Sequence, residues 1–222
     1  MTDDAVEAWY RFTLPSTLET ARLSLRAWDP SQTVAMKNAI DANLEHLRPW
    51  MPWAMNEPSP LGVLETRLMK FAADFKTGPD WGYAIFQRDA EPMIGAIGVH
   101  ARIGPRALEI GYWIDERLTR QGFATEAAEA VTRMALMLPD VDRVEIRCDP
   151  ANVASAGVPR RLGFRCVTLL KENATTSTGE PCDLVWEMTR AELPVREEDS
   201  REQTQTDEAD GEERVARGPS VL

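Results

Sequence analysis

Histidine and cysteine are scarce in this 222-residue sequence, and its basic residues, 25, are outnumbered by 36 acidic ones. Its two histidines, His46 and His100, are too few and too isolated for a metal site, and each is expected to play a structural part. Three cysteines, Cys148, Cys166 and Cys182, form no close-spaced motif. That odd number argues against a disulfide framework and for buried thiols in a reducing, cytoplasmic compartment. No apolar run reaches membrane length, so no membrane partner is expected. The start, MTDDAVEAWYRFTLP, is neither basic nor continuously apolar and does not read as a signal peptide. A net charge of -11 argues against a general nucleic-acid binder, because phosphate binding needs a concentrated basic surface. It suits a cationic or amine-bearing partner. Missing too are the Walker lysine–hydroxyl ending and the Rossmann G-x-G-x-x-G, which removes the nucleotide triphosphatase and dinucleotide-binding readings.

What is present suits one domain with a sizeable core and a tail. Residues 191–222 hold ten Asp/Glu against four Arg, a local charge of -6, with no aromatic residue. This stretch is expected to be an acidic disordered tail. The expected division is an extension over 1–14, a domain over 15–190 and the tail over 191–222.

In RLSLRAW, Leu23, Leu25 and Ala27 alternate with polar neighbours, which suits a first strand. Helices are expected in SQTVAMKNAIDANL, with Ser31 as cap, and in PLGVLETRLMKFAADFKTG, stopped by Gly78. Between them EHLRPWMPWAMNEP is no regular helix, because Pro49 and Pro52 remove donors. WGYAIFQ, MIGAIGVHAR and ALEIGYWID read as strands joined in antiparallel hairpins. A long Ala-rich helix follows, with Phe123, Ala127, Val131, Met134 and Leu138 on one stripe. DRVEIRC is a strand, NVASAGVPRRLGF a short helix ending at Gly163, and FRCVTLLK and CDLVWEM two further strands. The order predicts a mixed α/β layer fold.

The most informative stretch is RLTRQGFATEA, where a strand runs through a glycine turn into a helix. The first turn of a helix has N–H groups without intrahelical partners, and the helix dipole adds about half a positive charge there. Gly122 lets a phosphate approach the backbone, and Arg120 can add a charge-assisted contact. A pyrophosphate across the amides of Gln121, Gly122, Phe123, Ala124 and Thr125 is therefore expected.

Taken together, EIGYWIDERLTRQGFATEA and DRVEIRCDPANVASAGVPRRLGF resemble the GNAT superfamily of acetyl-coenzyme A-dependent N-acyltransferases. The RimJ/RimL-like branch, the ribosomal-protein N-acetyltransferases, is the nearer resemblance, also through LETARLSLRAWDP, over about residues 15–190. It implies a mostly antiparallel central sheet, splayed in the middle, with helices on both faces. It implies acetyl-coenzyme A as co-substrate, its diphosphate on the loop usually written Q/R-x-x-G-x-G/A. Here Gly122 and Ala124 match and Thr119 departs from the first position. The pantetheine arm would lie between the strand ending at Ile114 and the strand over Val144–Cys148, paired with the main chain of Trp113 and Ile114. A main-chain N–H on the splayed strand would polarise the thioester carbonyl.

Many GNAT enzymes protonate the leaving thiolate with a tyrosine from the late helix, but no tyrosine follows Tyr112. The resembling branch uses a serine in N-x-x-S, and Asn152–Val153–Ala154–Ser155 matches it. That implies Ser155 as proton donor or thiolate-orienting group and Asn152 as cofactor contact, although both residues also suit helix capping. Glu109 is the candidate base, acting through water, or a charge that orients substrate. Trp50, Trp53 and Trp81 are candidate walls of an acceptor mouth, against the alternative that they are core. The acceptor is a protein N-terminus or a small-molecule amine, and dimers are common in the branch. The competing function is a non-catalytic acyl-coenzyme A sensor whose acidic tail contacts a partner.

Overall fold

Eight strands build a single sheet in the order β1-β2-β3-β4-β5-β6-β8-β7 in the computed structural model, which describes residues 12–170 and 183–194. The strands are β1 (Thr17–Glu19), β2 (Leu23–Ala27), β3 (Asp80–Gln87), β4 (Met93–His100), β5 (Ala107–Ile114), β6 (Arg143–Cys148), β7 (Arg165–Leu170) and β8 (Asp183–Thr189). Every neighbouring pair is antiparallel except β5 and β6, which are parallel. A parallel pair needs a crossover, and helix α4 (Phe123–Met137) makes it. The other helices are α1 (Thr33–Asp41), α2 (Leu44–Leu47), α3 (Leu61–Thr77) and α5 (Val153–Leu162). Cys182, residues 1–11 and residues 195–222, most of the expected acidic tail, lie outside the described residues.

Strand alternation sends adjacent side chains to opposite faces, and the helices divide accordingly. Trp113, Ala96, Ala84 and Phe86 join Met36, Ile40, Leu64 and Leu68 of α1 and α3 in one core cluster. Tyr112, next to Trp113, meets Ser155 of α5, and Tyr83, next to Ala84, meets Met134 of α4. Helices α1 and α3 therefore cover one face, α4 and α5 the other.

Several local expectations change. A short strand, β1, precedes the one expected first; it pairs Leu18 with Leu25. Asp29, not Ser31, caps the turn before α1, because its carboxylate accepts from the Ser31 N–H in a capping box with Gln32. A one-turn helix, α2, forms before Pro49, and Pro52–Asn56 winds as a 3-10 turn that tolerates its leading proline. The buried stripe of α4 runs through Phe123, Ala127, Ala128, Val131, Thr132, Ala135 and Leu136; Met134 is half-buried and Leu138 lies past the helix end. Gly78 and Gly163 end α3 and α5 with positive φ, as expected of them.

Candidate active site

β5 and β6 stay in register from Ala107 opposite Arg143 to Ile110 opposite Ile146, and part beyond that pair. β5 continues to Ile114, still paired with β4, while β6 continues to Cys148, still paired with β8. The sheet thus opens a cleft between residues 111–114 and 147–148. The Asp115 N–H donates to the Ile94 carbonyl on the β4 side. Backbone direction alternates along an antiparallel strand, so Trp113 and Gly111 also turn their main chain to β4. Tyr112 and Ile114 turn theirs into the cleft. Ile114 and Tyr112 therefore present their main chain at the cleft edge, whereas that of Trp113, the other residue expected there, is taken by β4.

The chain leaves β5 through Asp115, whose carboxylate accepts from the Arg117 N–H and pairs with the Arg117 guanidinium at 2.6 Å. Hydrogen bonds from Arg117, more than its charge, hold the Asp115 carboxyl at a pKa of about 2. Such a depressed group stabilises the fold fully above its unfolded value, near 3.9, and loses that contribution as pH falls towards 2. Asp115→Asn is therefore expected to lower stability at neutral pH, with the difference from wild type shrinking below about pH 4. Urea titrations across that range check it, and a pH-independent difference would refute it.

Arg120 (φ 61) and Gly122 (φ 85, ψ 0) both take left-handed backbone, which turns the chain into α4. Among the described residues no hydrogen bond is made by the main-chain N–H groups of Gln121, Gly122, Phe123, Ala124 or Thr125. The loop is braced through its other atoms. Arg22 donates to the Gln121 carbonyl at 3.0 Å, lies over the Phe123 ring and pairs with Glu126 at 2.6 Å. Burial opposes ionisation of Glu126, but hydrogen bonds from Thr20 and Arg22 outweigh it and lower its pKa. Arg161 reaches from α5 to Thr125 Oγ1 at 3.2 Å, and Arg120 is exposed. The Arg22 and Arg161 guanidinium groups thus contact a turn of five unpartnered amides that also carries Arg120, an arrangement chemically suited to a polyanion. Arg22 and Arg161 were not legible as site residues, because 99 and 36 positions separate them from their loop partners.

Across the cleft, Asn152 caps α5 by accepting from the Ser155 N–H at 3.0 Å. The Tyr112 hydroxyl donates to the Ser155 carbonyl at 3.1 Å and lies 3.4 Å from Ser155 Oγ. Burial pushes the Tyr112 phenol well above its ordinary pKa, so it stays protonated. Tyr112 is a residue the sequence reading passed over: it sits on a strand, 43 positions before the serine it touches.

Glu109 is buried on β5 and held by Arg102 through two hydrogen bonds of 2.5 and 3.0 Å. Its desolvation favours the neutral acid, but the bonds from Arg102, with the charges of Arg102, Arg147 and His100, prevail and lower its pKa. A carboxylate so paired is a weaker proton acceptor than a free one. Of the tryptophans, Trp53 is partly exposed with its ring 6.5 Å from Trp113, and Trp50 is half-buried. Trp81 is a correction: it is 1% exposed, stacks on Phe12 at 5.0 Å and lies on the face opposite Trp113, so it is core and not a mouth residue.

Comparison with known proteins agrees with this geometry. The family described as acetyltransferase (GNAT) domain matches residues 22–165. An uncharacterized N-acetyltransferase, YnaD of Bacillus subtilis (strain 168), is 28% identical over 83 residues, 37% of this chain and 49% of that protein. RimL, a ribosomal L7/L12 alpha-N-protein acetyltransferase solved with coenzyme A, superposes with a TM-score of 0.70 at 23% identity, over 80% of this chain and 98% of its own. RimJ of Mycobacterium smegmatis, solved with a coenzyme A disulfide, gives 0.69 at 24%, over 78% and 84%. The microcin C7 self-immunity acetyltransferase MccE, solved with acetyl-coenzyme A and AMP, gives 0.72 at 15%, over 79% and 97%.

Proposed function

Because this chain belongs to the acetyltransferase (GNAT) domain family, we propose that it transfers the acetyl group of acetyl-coenzyme A to the α-amine of a protein N-terminus. The observation that carries this reading is the parting of β5 from β6 beside a turn of unpartnered amides. A thioester arm needs an open strand edge, and a diphosphate needs convergent donors; both stand on consecutive segments of the chain. Gln121 to Thr125, with Arg120, hold the diphosphate, joined by Arg22 and Arg161. The main chain of Tyr112 and Ile114 receives the pantetheine arm, and an amide on that edge polarises the thioester carbonyl.

Attack by the amine expels a thiolate whose conjugate acid has a pKa near ~8.5. Ser155 Oγ–H is the donor to that sulfur, and Tyr112 positions it. By donating its own proton to the Ser155 carbonyl, the phenol anchors Ser155 and leaves the serine proton for the sulfur. Asn152 serves by fixing the first turn of α5 under Ser155. Glu109, committed to Arg102, orients charge on the acceptor side. Trp53 and Trp113 form the apolar wall there, with Trp50 beside them. Three thiols and a cytosolic co-substrate suit a cytoplasmic location.

An α-amine, with a reference pKa of about 7.7–8.0, is partly neutral at physiological pH, whereas a lysine at about 10.4 is not. The test is release of free thiol from acetyl-coenzyme A against three acceptors: serine- and alanine-initiated peptides, N-terminally blocked lysine peptides, and small amines. Turnover with free α-amine peptides is expected to exceed that with blocked lysine peptides at least a hundredfold at pH 7.5, where the neutral fraction of an α-amine is about 200 times larger. Release with small amines alone would reject the peptide acceptor. Binding of coenzyme A with no thioester consumed would favour the acyl-coenzyme A sensor instead.

A further inference from the structure

On the face covered by α1 and α3, the strand registers align Asp80, His100, Glu109, Glu145, Glu187 and Arg165 in one row across β3, β4, β5, β6, β8 and β7. At its β4 position, His100 Nδ1 lies 2.6 Å from an Asp80 carboxylate oxygen. The imidazole folds back over the glycine trough of the neighbouring row. A Cβ on Gly98 would stand 2.7 Å from His100 Nε2, and one on Gly111 4.0 Å from it. Gly98 and Gly111 are register partners, and Gly111 is the first β5 residue beyond the last pair with β6. Nε2 is thereby brought over the mouth of the cleft, on the face where Trp113 and Trp53 stand. Among the described residues no hydrogen bond reaches Nε2.

We propose that His100, oriented by Asp80, is the general base that deprotonates the acceptor amine. This rests on the acetyltransferase reading above and deepens it. The Asp80 carboxylate fixes the tautomer with the proton on Nδ1, which leaves the Nε2 lone pair for the acceptor. Two bare glycines let the ring reach inward; any side chain at Gly98 would displace it. Glu109, the alternative base, is neutralised by Arg102. The charged groups facing the imidazole are Asp80 from β3, Glu109 from β5 and Arg102 from the loop after β4, with Lys70 of α3 and Arg147 of β6 behind them.

The protons balance. An ammonium group becoming an amide loses two: the first passes to His100 Nε2 before attack and then to water, the second leaves as the C–S bond breaks and ends on the coenzyme A sulfur. An α-amine, near 7.7–8.0, yields its proton to a neutral imidazole far more readily than a lysine near 10.4 does. The dyad therefore reinforces the choice of α-amines.

The experiment uses the full chain, acetyl-coenzyme A and a serine-initiated hexapeptide with a free α-amine. His100→Gln is expected to lower kcat/KM for the peptide about 100-fold, within the span of general-base effects. It should also abolish the acidic limb of the pH–rate profile, where protonated imidazole cannot accept. Calorimetry should show coenzyme A affinity within about twofold of wild type. Asp80→Asn, which keeps the ring, is expected to cost about tenfold. In His100→Ala, added imidazole should restore turnover, because the emptied trough accepts it. If His100→Gln keeps more than half of wild-type kcat/KM with the limb unchanged, the base is elsewhere and only this inference falls. Should His100→Gln fail to fold, Asp80→Asn with wild-type kinetics overturns it equally. No turnover of any amine by the wild-type chain overturns both this inference and the function it rests on.

Discussion

Gly122→Asp is expected to weaken coenzyme A binding about 100-fold, while Gly122→Asn weakens it only about threefold. Gly122 has φ 85 and ψ 0, a left-handed conformation that Asn and Asp tolerate better than other side chains. Either substitution places a Cβ 3.3 Å from Arg22 Nη2, a contact the end of a long side chain can relieve. Strain and bulk are therefore nearly matched between the two variants. What differs is one negative charge placed among the amides of 121–125 and the guanidinium groups of Arg22, Arg120 and Arg161. Two like charges about 4 Å apart repel by about 4 kcal/mol at an effective dielectric of 20, and screening by those arginines reduces this. The charge thus accounts for a difference of about thirtyfold between the variants, about 2.1 kcal/mol. Calorimetric titration with coenzyme A measures it. Equal losses for the two variants would show that the loop matters for shape and not as an anion site.

Ser155→Ala is expected to reduce kcat about 100-fold with the KM for acetyl-coenzyme A little changed, since proton donation at this step lies within the usual range for general acids. Tyr112→Phe should cost about tenfold by the same measure. The two should not multiply: if the phenol works by fixing the position of Ser155, its removal costs nothing further once the hydroxyl is gone. A double variant as slow as Ser155→Ala alone is the expected result. Costs that multiply would give Tyr112 a separate role. The 3.1 Å bond from the phenol to the Ser155 carbonyl commits the only phenolic proton. A phenylalanine keeps the packing of the ring and removes that commitment.

The fold was legible to the extent that its determinants are local. Alternating apolar residues in RLSLRAW and ALEIGYWID mark strands wherever they occur, and Gly78 and Gly163 stop helices by their own backbone freedom. The anion loop could be read for the same reason, because Gly122 and the amides that follow it are consecutive. Tyr112 was passed over because nothing beside it in the chain suggests a polar partner. His100 looked structural because its aspartate lies 20 residues earlier on another strand. Trp81 was misplaced because composition does not say which face a tryptophan takes; its position two residues before Tyr83 puts it on the α4 side.

By itself, then, the order of residues determined most of the elements, among them the long helix after β5 and the glycine turn that opens it, all of which follow from neighbours within a few positions. Only the tertiary structure decided where β5 leaves β6, that Arg102 occupies Glu109, and that a histidine and an aspartate meet over two glycines. Those facts are set by strand register. Register is fixed when buried faces pack together, and a shift of one residue would turn every one of these side chains to the other side.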